Sequence, residues 1–186
     1  WDLDEGLPST CMNAILRTPD GYIWLGTQQG VVRFDGVRFV TFNPRNTPAF
    51  TDDRIASLAL DAKGDFWAGT TSGGLVKHSG GMFTAINVTN ATRGSRINGM
   101  TVDAAGGVWL ATGGAGLIRV KDGNVTVLST NNSGISSVWL WQVLSDAQGR
   151  VWYLTRGGAL GWLEGDQCHN LPKTVALPGP IQAIAR

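Results

Sequence analysis

Histidine and cysteine are scarce in this chain, with two of each in 186 residues. Cys11 and Cys168 lie far apart and make neither a disulfide framework nor the paired spacing of a zinc site. His78 and His169 stand alone, at what reads as a strand-ending turn and a loop of different repeats. A catalytic or metal centre needs clustered groups, so none is expected. Net charge is missing too: 15 Lys and Arg against 14 Asp and Glu leave +1, with no basic stripe. That balance argues against a nucleic-acid partner. No apolar run approaches the roughly 20 residues of a membrane-spanning helix, so no membrane contact is expected of this segment itself. No stretch holds a 3.6-residue period for three turns, so helix is not expected. Residues 112–116 (TGGAG) lack the Gly-Lys-Ser/Thr ending of a phosphate loop, and no cofactor is expected. Neither a signal peptide nor an initiating Met opens the sequence, as expected of a mature or excised piece of something longer.

What the chain does contain is repetition. DGYIWLGT (residues 20–27) returns as GDFWAGT (64–70), GGVWLAT (106–112) and GRVWYLT (149–155). Trp24, Trp67, Trp109 and Trp152 are separated by 43, 42 and 43 residues, and Gly21, Gly64, Gly106 and Gly149 keep the same separations. A fixed period of this length marks a repeat architecture. Glycine, 26 of 186 residues, is about twice its usual share. Because it recurs in register, it belongs to turns rather than to disorder.

One unit reads as four short strands: MNAIL, YIWLGT, VVRFD and VRFVTF, joined by TPDG, QQG and DG turns. The units fall at about 11–43, 54–86, 96–128 and 138–170, with a weak or lost fourth strand in QCHNL of the last. A fifth unit begins at 181–186 with IQAIA. Four-stranded units of this period predict an all-β chain of β-propeller blades. The four tryptophans are expected to be buried between blades, and the four glycines to hold the turn before them.

GLPSTCMNAI followed by RTPDGYIWLGTQQGVVRFDG resembles the two-component-regulator propeller repeat. Its pattern is Gly-Leu-Pro-Ser-Asn, an inner strand, Asp-x-x-Gly-x-hydrophobic-Trp-hydrophobic-Gly-Thr, then x-x-Gly-hydrophobic. The first unit has its Asp beside the Gly (Asp20-Gly21). The others carry Asp61, Asp103 and Asp146 three residues before their glycines, and the last has Leu154 where Gly stands. The resemblance implies the periplasmic, extracytoplasmic sensor region of a bacterial hybrid histidine kinase or related membrane receptor. It also implies a propeller that usually has seven blades. Four units and one strand are then a fragment of a larger propeller, expected to form an open arc whose end blades self-associate as a homodimer.

Two enzyme readings compete. The glycine-to-Trp element is similar to the Asp-box of sialidases, but that box is itself a structural turn. It is also similar to streptogramin lyases, which need a base and a metal cluster where this chain has only two separate histidines. The favoured reading is a non-enzymatic, ligand-sensing segment; the alternative is a protein-interaction or dimerisation scaffold.

If the strands of a blade run outwards from the channel, the D-x-x-G and Asp-Gly turns share one face of the disc. Gln28, Gln29, Ser72 and Arg156, in the loops after the Trp strands, then share the other. So do Cys11, Arg54, Arg96 and Trp139, which occupy matching positions just before the inner strands. Variable loops on a constant scaffold are where recognition usually lies. Arginine and tryptophan there suit a carboxylated small molecule or an oligosaccharide. The expected ligand-binding residues are therefore Gln28, Gln29, Arg54, Ser72, Arg96, Trp139 and Arg156.

Overall fold

A computed structural model describes residues 6–171. The fifth unit expected at 181–186 lies outside the described residues. Sixteen strands form four antiparallel sheets, each in simple sequence order. The first blade is β1 (Met12–Arg17), β2 (Ile23–Thr27), β3 (Gly30–Phe34) and β4 (Phe39–Phe42). The second is β5 (Ile55–Leu60), β6 (Phe66–Thr70), β7 (Leu75–Ser79) and β8 (Met82–Ile86). A single helical turn, α1 (Thr89–Thr92), leads to β9 (Ile97–Val102), β10 (Val108–Thr112), β11 (Leu117–Lys121) and β12 (Asn124–Leu128). The fourth blade is β13 (Leu140–Ser145), β14 (Val151–Thr155), β15 (Leu160–Glu164) and β16 (Gln167–Asn170). The chain is thus an all-β run of propeller blades.

Period-two alternation along the Trp strands sends successive side chains to opposite neighbours. Trp24 packs with Phe66, Ala68 and Val76 of the second blade. Trp67 joins Val108, Leu110 and Ile118 of the third, and Trp109 joins Val151 and Tyr153 of the fourth. Burial of such faces, at about 25 cal/mol per Å² of apolar area, is what holds one blade to the next. Trp152 departs from the expectation: it is only half-buried, because it sits on the outward face of the last described blade.

Seating the inner strands requires small residues. A Cβ on Gly26 would lie 2.9 Å from Ile55 Cγ2, and one on Gly69 would lie 2.7 Å from Ile97 Cγ2. The equivalent positions in the third and fourth blades are Ala111, packed with Leu140, and the fully buried Leu154.

Each inner strand carries a β-bulge at the same place, at Asn13, Ala56, Asn98 and Trp141. Beside the bulge a side chain donates to the next blade. Asn13 Nδ2 reaches Ile55 O at 2.8 Å, Ser57 Oγ reaches Ile97 O at 2.8 Å, and Asn98 Nδ2 reaches Leu140 O at 2.7 Å.

Three details correct the sequence reading. QCHNL does form the fourth strand of its blade, as β16 paired with β15. His78 is a β7 residue, stacked on Phe66 with ring centroids 4.7 Å apart in the first seam. His169 is a β16 residue stacked on Trp162 at 5.4 Å. Strand pairing and aromatic neighbours, not loop geometry, fix both imidazoles. Cys11 and Cys168 are free thiols.

Candidate functional site

The turns between the first two strands of each blade build one face of the disc. Asp103 Oδ1 accepts the N–H groups of Ala105 and Gly107, while its Oδ2 accepts the indole N–H of Trp109 at 2.8 Å and Arg119 Nη2 at 3.3 Å. Asp146 does the same with Gln148, Arg150 and the Trp152 indole. The bond from Trp152, helped by Arg150, holds the Asp146 carboxyl down to about 2. In the first blade Thr18 stands three residues before Gly21, where the other blades have Asp, and accepts the Trp24 indole at 3.1 Å. The displaced Asp20 instead accepts the Thr18 hydroxyl. Gly21, Gly64, Gly106 and Gly149 have φ of +93°, +87°, +78° and +81°, which explains glycine at the turn.

A cation completes the arrangement from the third strand. Lys77 and Arg119 are the direct cross-strand partners of Trp67 and Trp109 and lie 5.3 and 5.0 Å from the ring centroids. In the fourth blade the cross-strand partner is Trp162, and Arg150 from the turn takes the cation's place at 5.3 Å. These aspartates and cations are engaged in framing the tryptophans.

The opposite face is built by the loops after the Trp strands and the segments before the inner strands. Backbone bonds join the two sets: Thr71 N to Arg54 O, Gly113 N to Arg96 O, and Arg156 N to Trp139 O, all at 2.8–2.9 Å. Gly113 also bridges to Trp139. Arg96, Gly113, Trp139 and Arg156 therefore form one connected patch across the third and fourth blades. The Trp139 ring lies over Gly114, 3.6 Å from where a Cβ would stand, yet is 51% exposed. Trp141, at the bulge two residues on, is equally exposed, at 52%. Arg54 and Ser72 form a separate group on the second blade. Gln28 and Gln29 lie on the first, where Asn43 Nδ2 donates to Gln29 O.

Asp52, which the sequence reading passed over, organises the second blade's group. Its Oδ1 accepts Arg54 N and Nε, and its Oδ2 accepts the Thr71 hydroxyl and Ser72 N. Burial pushes this carboxyl up, but the bonds from Arg54, Thr71 and Ser72 outweigh it and hold it below the ordinary carboxylate range. Ser9 and Ser137 occupy the same register position, each accepting the N–H two residues on, from Cys11 and Trp139. That recurrence, two residues before three of the four matched positions (Gly94 stands before Arg96), is the signal by which Asp52 was findable.

The charges divide between the faces. Among the described residues the loop face carries Arg45, Arg54, Arg93, Arg96 and Arg156, all exposed, and no lysine. Its acids are Asp52, already engaged, and Asp53.

The family model for the two component regulator propeller matches residues 6–29. No curated protein matches the chain. Among solved structures, it is similar to the extracellular domain assigned to a hybrid two component system of B. thetaiotaomicron, with TM-score 0.79 and 18% identity, over 97% of this chain and 26% of that one. A second extracellular domain from the same organism, assigned to a one component system, gives TM-score 0.70 at 17% identity over 89% and 26%. Virginiamycin B lyase from Staphylococcus aureus gives 0.69 at 15% identity, over 92% of this chain and 58% of the enzyme. The chain thus spans about a quarter of the two bacterial extracellular domains, at 26% of each. At these identities the likeness is one of fold. Residues 6–29 are a two component regulator propeller repeat, and the described residues that contain them form a run of four β-propeller blades.

Proposed function

We propose that this chain is a non-enzymatic sensing segment of a bacterial signalling receptor, working in the periplasm, and that its loop face receives an anionic small molecule or acidic oligosaccharide. The observation that carries the reading is the connected patch of Arg96, Trp139 and Arg156. It pairs two guanidinium groups, which suit carboxylates by bidentate hydrogen bonding, with an exposed indole on which a ring can stack. Arg54, oriented through Nε by Asp52, adds a third guanidinium from the neighbouring blade. The positions of His78 and His169, each stacked within a sheet, favour binding over lyase chemistry. Calorimetry of the complete sensor region with dicarboxylates and with acidic and neutral oligosaccharides tests it. Binding of an acidic member that weakens in Arg54→Ala and Arg96→Ala is the expected result. Binding indifferent to both substitutions refutes the residue assignment.

A second reading, self-association, is favoured by Ile15. This residue pairs with Leu25 on the side of the first blade turned away from the second and is 71% exposed. Light scattering showing a monomer at every concentration would end it; a dimer lost in Ile15→Lys would support it.

A further inference from the structure

The indole N–H of the repeat tryptophan has an acceptor in three blades: Thr18 for Trp24, Asp103 for Trp109 and Asp146 for Trp152. In the second blade it has none. Asp61 stands at the matching position and caps its turn through Lys63 N and Asp65 N, yet Trp67 Nε1 is buried without a partner. Trp67 itself is only 9% exposed. An orphan donor of this kind costs about 1–3 kcal/mol relative to a satisfied one. By the register of the repeat, the N–H is aimed at the Asp61 turn.

That turn is the rim of a cleft of about 510 Å³ between the second and third blades, on the face opposite the arginines. Trp67 lines it, and Val102 and Val120 form an apolar wall. Lys77 lines it too, but is held by Asp65 at 2.8 Å and lies over the Trp67 ring. Lys121, at the opposite rim, has no ion pair among the described residues. Asp61, Asp103 and Asp122 also line the cleft, the first two engaged by the N–H groups of their own turns; beside them it combines a buried donor lacking an acceptor, the ammonium group of Lys121 and an apolar wall, within the size range of small-molecule sites.

We infer that this cleft is a second binding site, for a small carboxylate with an apolar body. One carboxylate oxygen accepts the Trp67 N–H, Lys121 answers the charge, and the apolar body lies against Val102 and Val120. The N–H has no free surface of its own, so the acceptor reaches it by movement of the side chains around it. This assignment is independent of the arginine face.

The test is a titration of the chain with phenylacetate, followed by the indole N–H signals of its tryptophans in proton–nitrogen correlation spectra. The Trp67 signal is assigned by its loss in Trp67→Phe, which keeps an aromatic ring and deletes the donor. Its saturable downfield movement is expected. In Lys121→Ala, a change at a half-buried rim position outside the core clusters, the apparent Kd rises about tenfold, the effect of losing a charge-assisted contact. Phenylethanol, without the charge, leaves the signal in place, and Arg96→Ala leaves the titration unchanged. A Trp67 signal indifferent to millimolar phenylacetate overturns the inference. So does a response that Lys121→Ala leaves intact, or one that Arg96→Ala abolishes.

Discussion

Asp103 and Asp61 occupy the same position in neighbouring repeats, and replacing each with alanine isolates what Asp103 gains from the Trp109 indole and Arg119. Both carboxylates accept two N–H groups of their own turn. Those at the exposed end of the turn can turn to water, so their loss costs about 0.5–1.5 kcal/mol each. Asp103 also accepts the Trp109 indole at 2.8 Å and Arg119 at 3.3 Å. Trp109 is buried, so Asp103→Ala leaves its N–H orphaned, a further cost of about 1–3 kcal/mol. Asp61→Ala leaves Trp67 as it already is. The expected losses are about 2–6 kcal/mol for Asp103→Ala and about 1–3 kcal/mol for Asp61→Ala, the first exceeding the second by about 1–3 kcal/mol. Denaturant unfolding followed by tryptophan fluorescence reads both, as a shift of midpoint at unchanged slope. Equal losses would refute the reasoning, since the turn cap alone would then account for both residues.

Gly69→Ala drives a Cβ to 2.7 Å from Ile97 Cγ2 and is expected to destabilise by about 1–3 kcal/mol; combined with Ile97→Ala it should cost less than the sum, as a double-mutant cycle would show. Gly21→Ala meets no neighbour but holds φ at +93°, so about 1–2 kcal/mol of backbone strain is expected, with no coupling to Ile97. Burial, opposed by Asp20 and Asp65 and aided by Arg33, lowers the pKa of His78 below 6.5, so the unfolded chain takes up the proton first. Stability should therefore fall as pH drops below about 6.5, and His78→Phe should flatten that part of the unfolding-midpoint profile. Asp146, held down to about 2, contributes stability that is present above its unfolded value near 3.8 and is lost as pH falls through 2; Asp146→Asn should remove that acid limb, read in the same profile.

The blades were legible because tryptophan and glycine recur where local geometry is strict: a wide indole must fill each seam, and a left-handed φ must precede it. The bonds between blades were not. Asn13 and Asn98 look like ordinary polar residues, and each finds its acceptor 42 residues away, at a bulge that strand patterning does not reveal. The first repeat shows in sequence only that its Asp stands beside the Gly, and not that Thr18 has taken over the bond to the indole. Asp52 was passed over because its four donors come from two separate segments. The loop face could be drawn from strand order alone. That backbone bonds through Gly113 join Arg96, Trp139 and Arg156 while Gln28 and Gln29 stand apart depends on which blades are neighbours.

The positions two residues after each repeat tryptophan grow from Gly26 and Gly69 to Ala111 and then Leu154. The first two admit the β-branched Ile55 and Ile97 at a distance where no Cβ would fit. The blades are consequently not interchangeable parts. A chimera that follows a copy of the fourth blade with the second would set the Leu154 side chain against Ile55 and wedge the seam open. Copies of the second blade, each offering both the isoleucine and the glycine, would meet one another without that clash. The order of the blades is written as a gradient of side-chain size, and an array engineered from this chain would have to be read in the same direction.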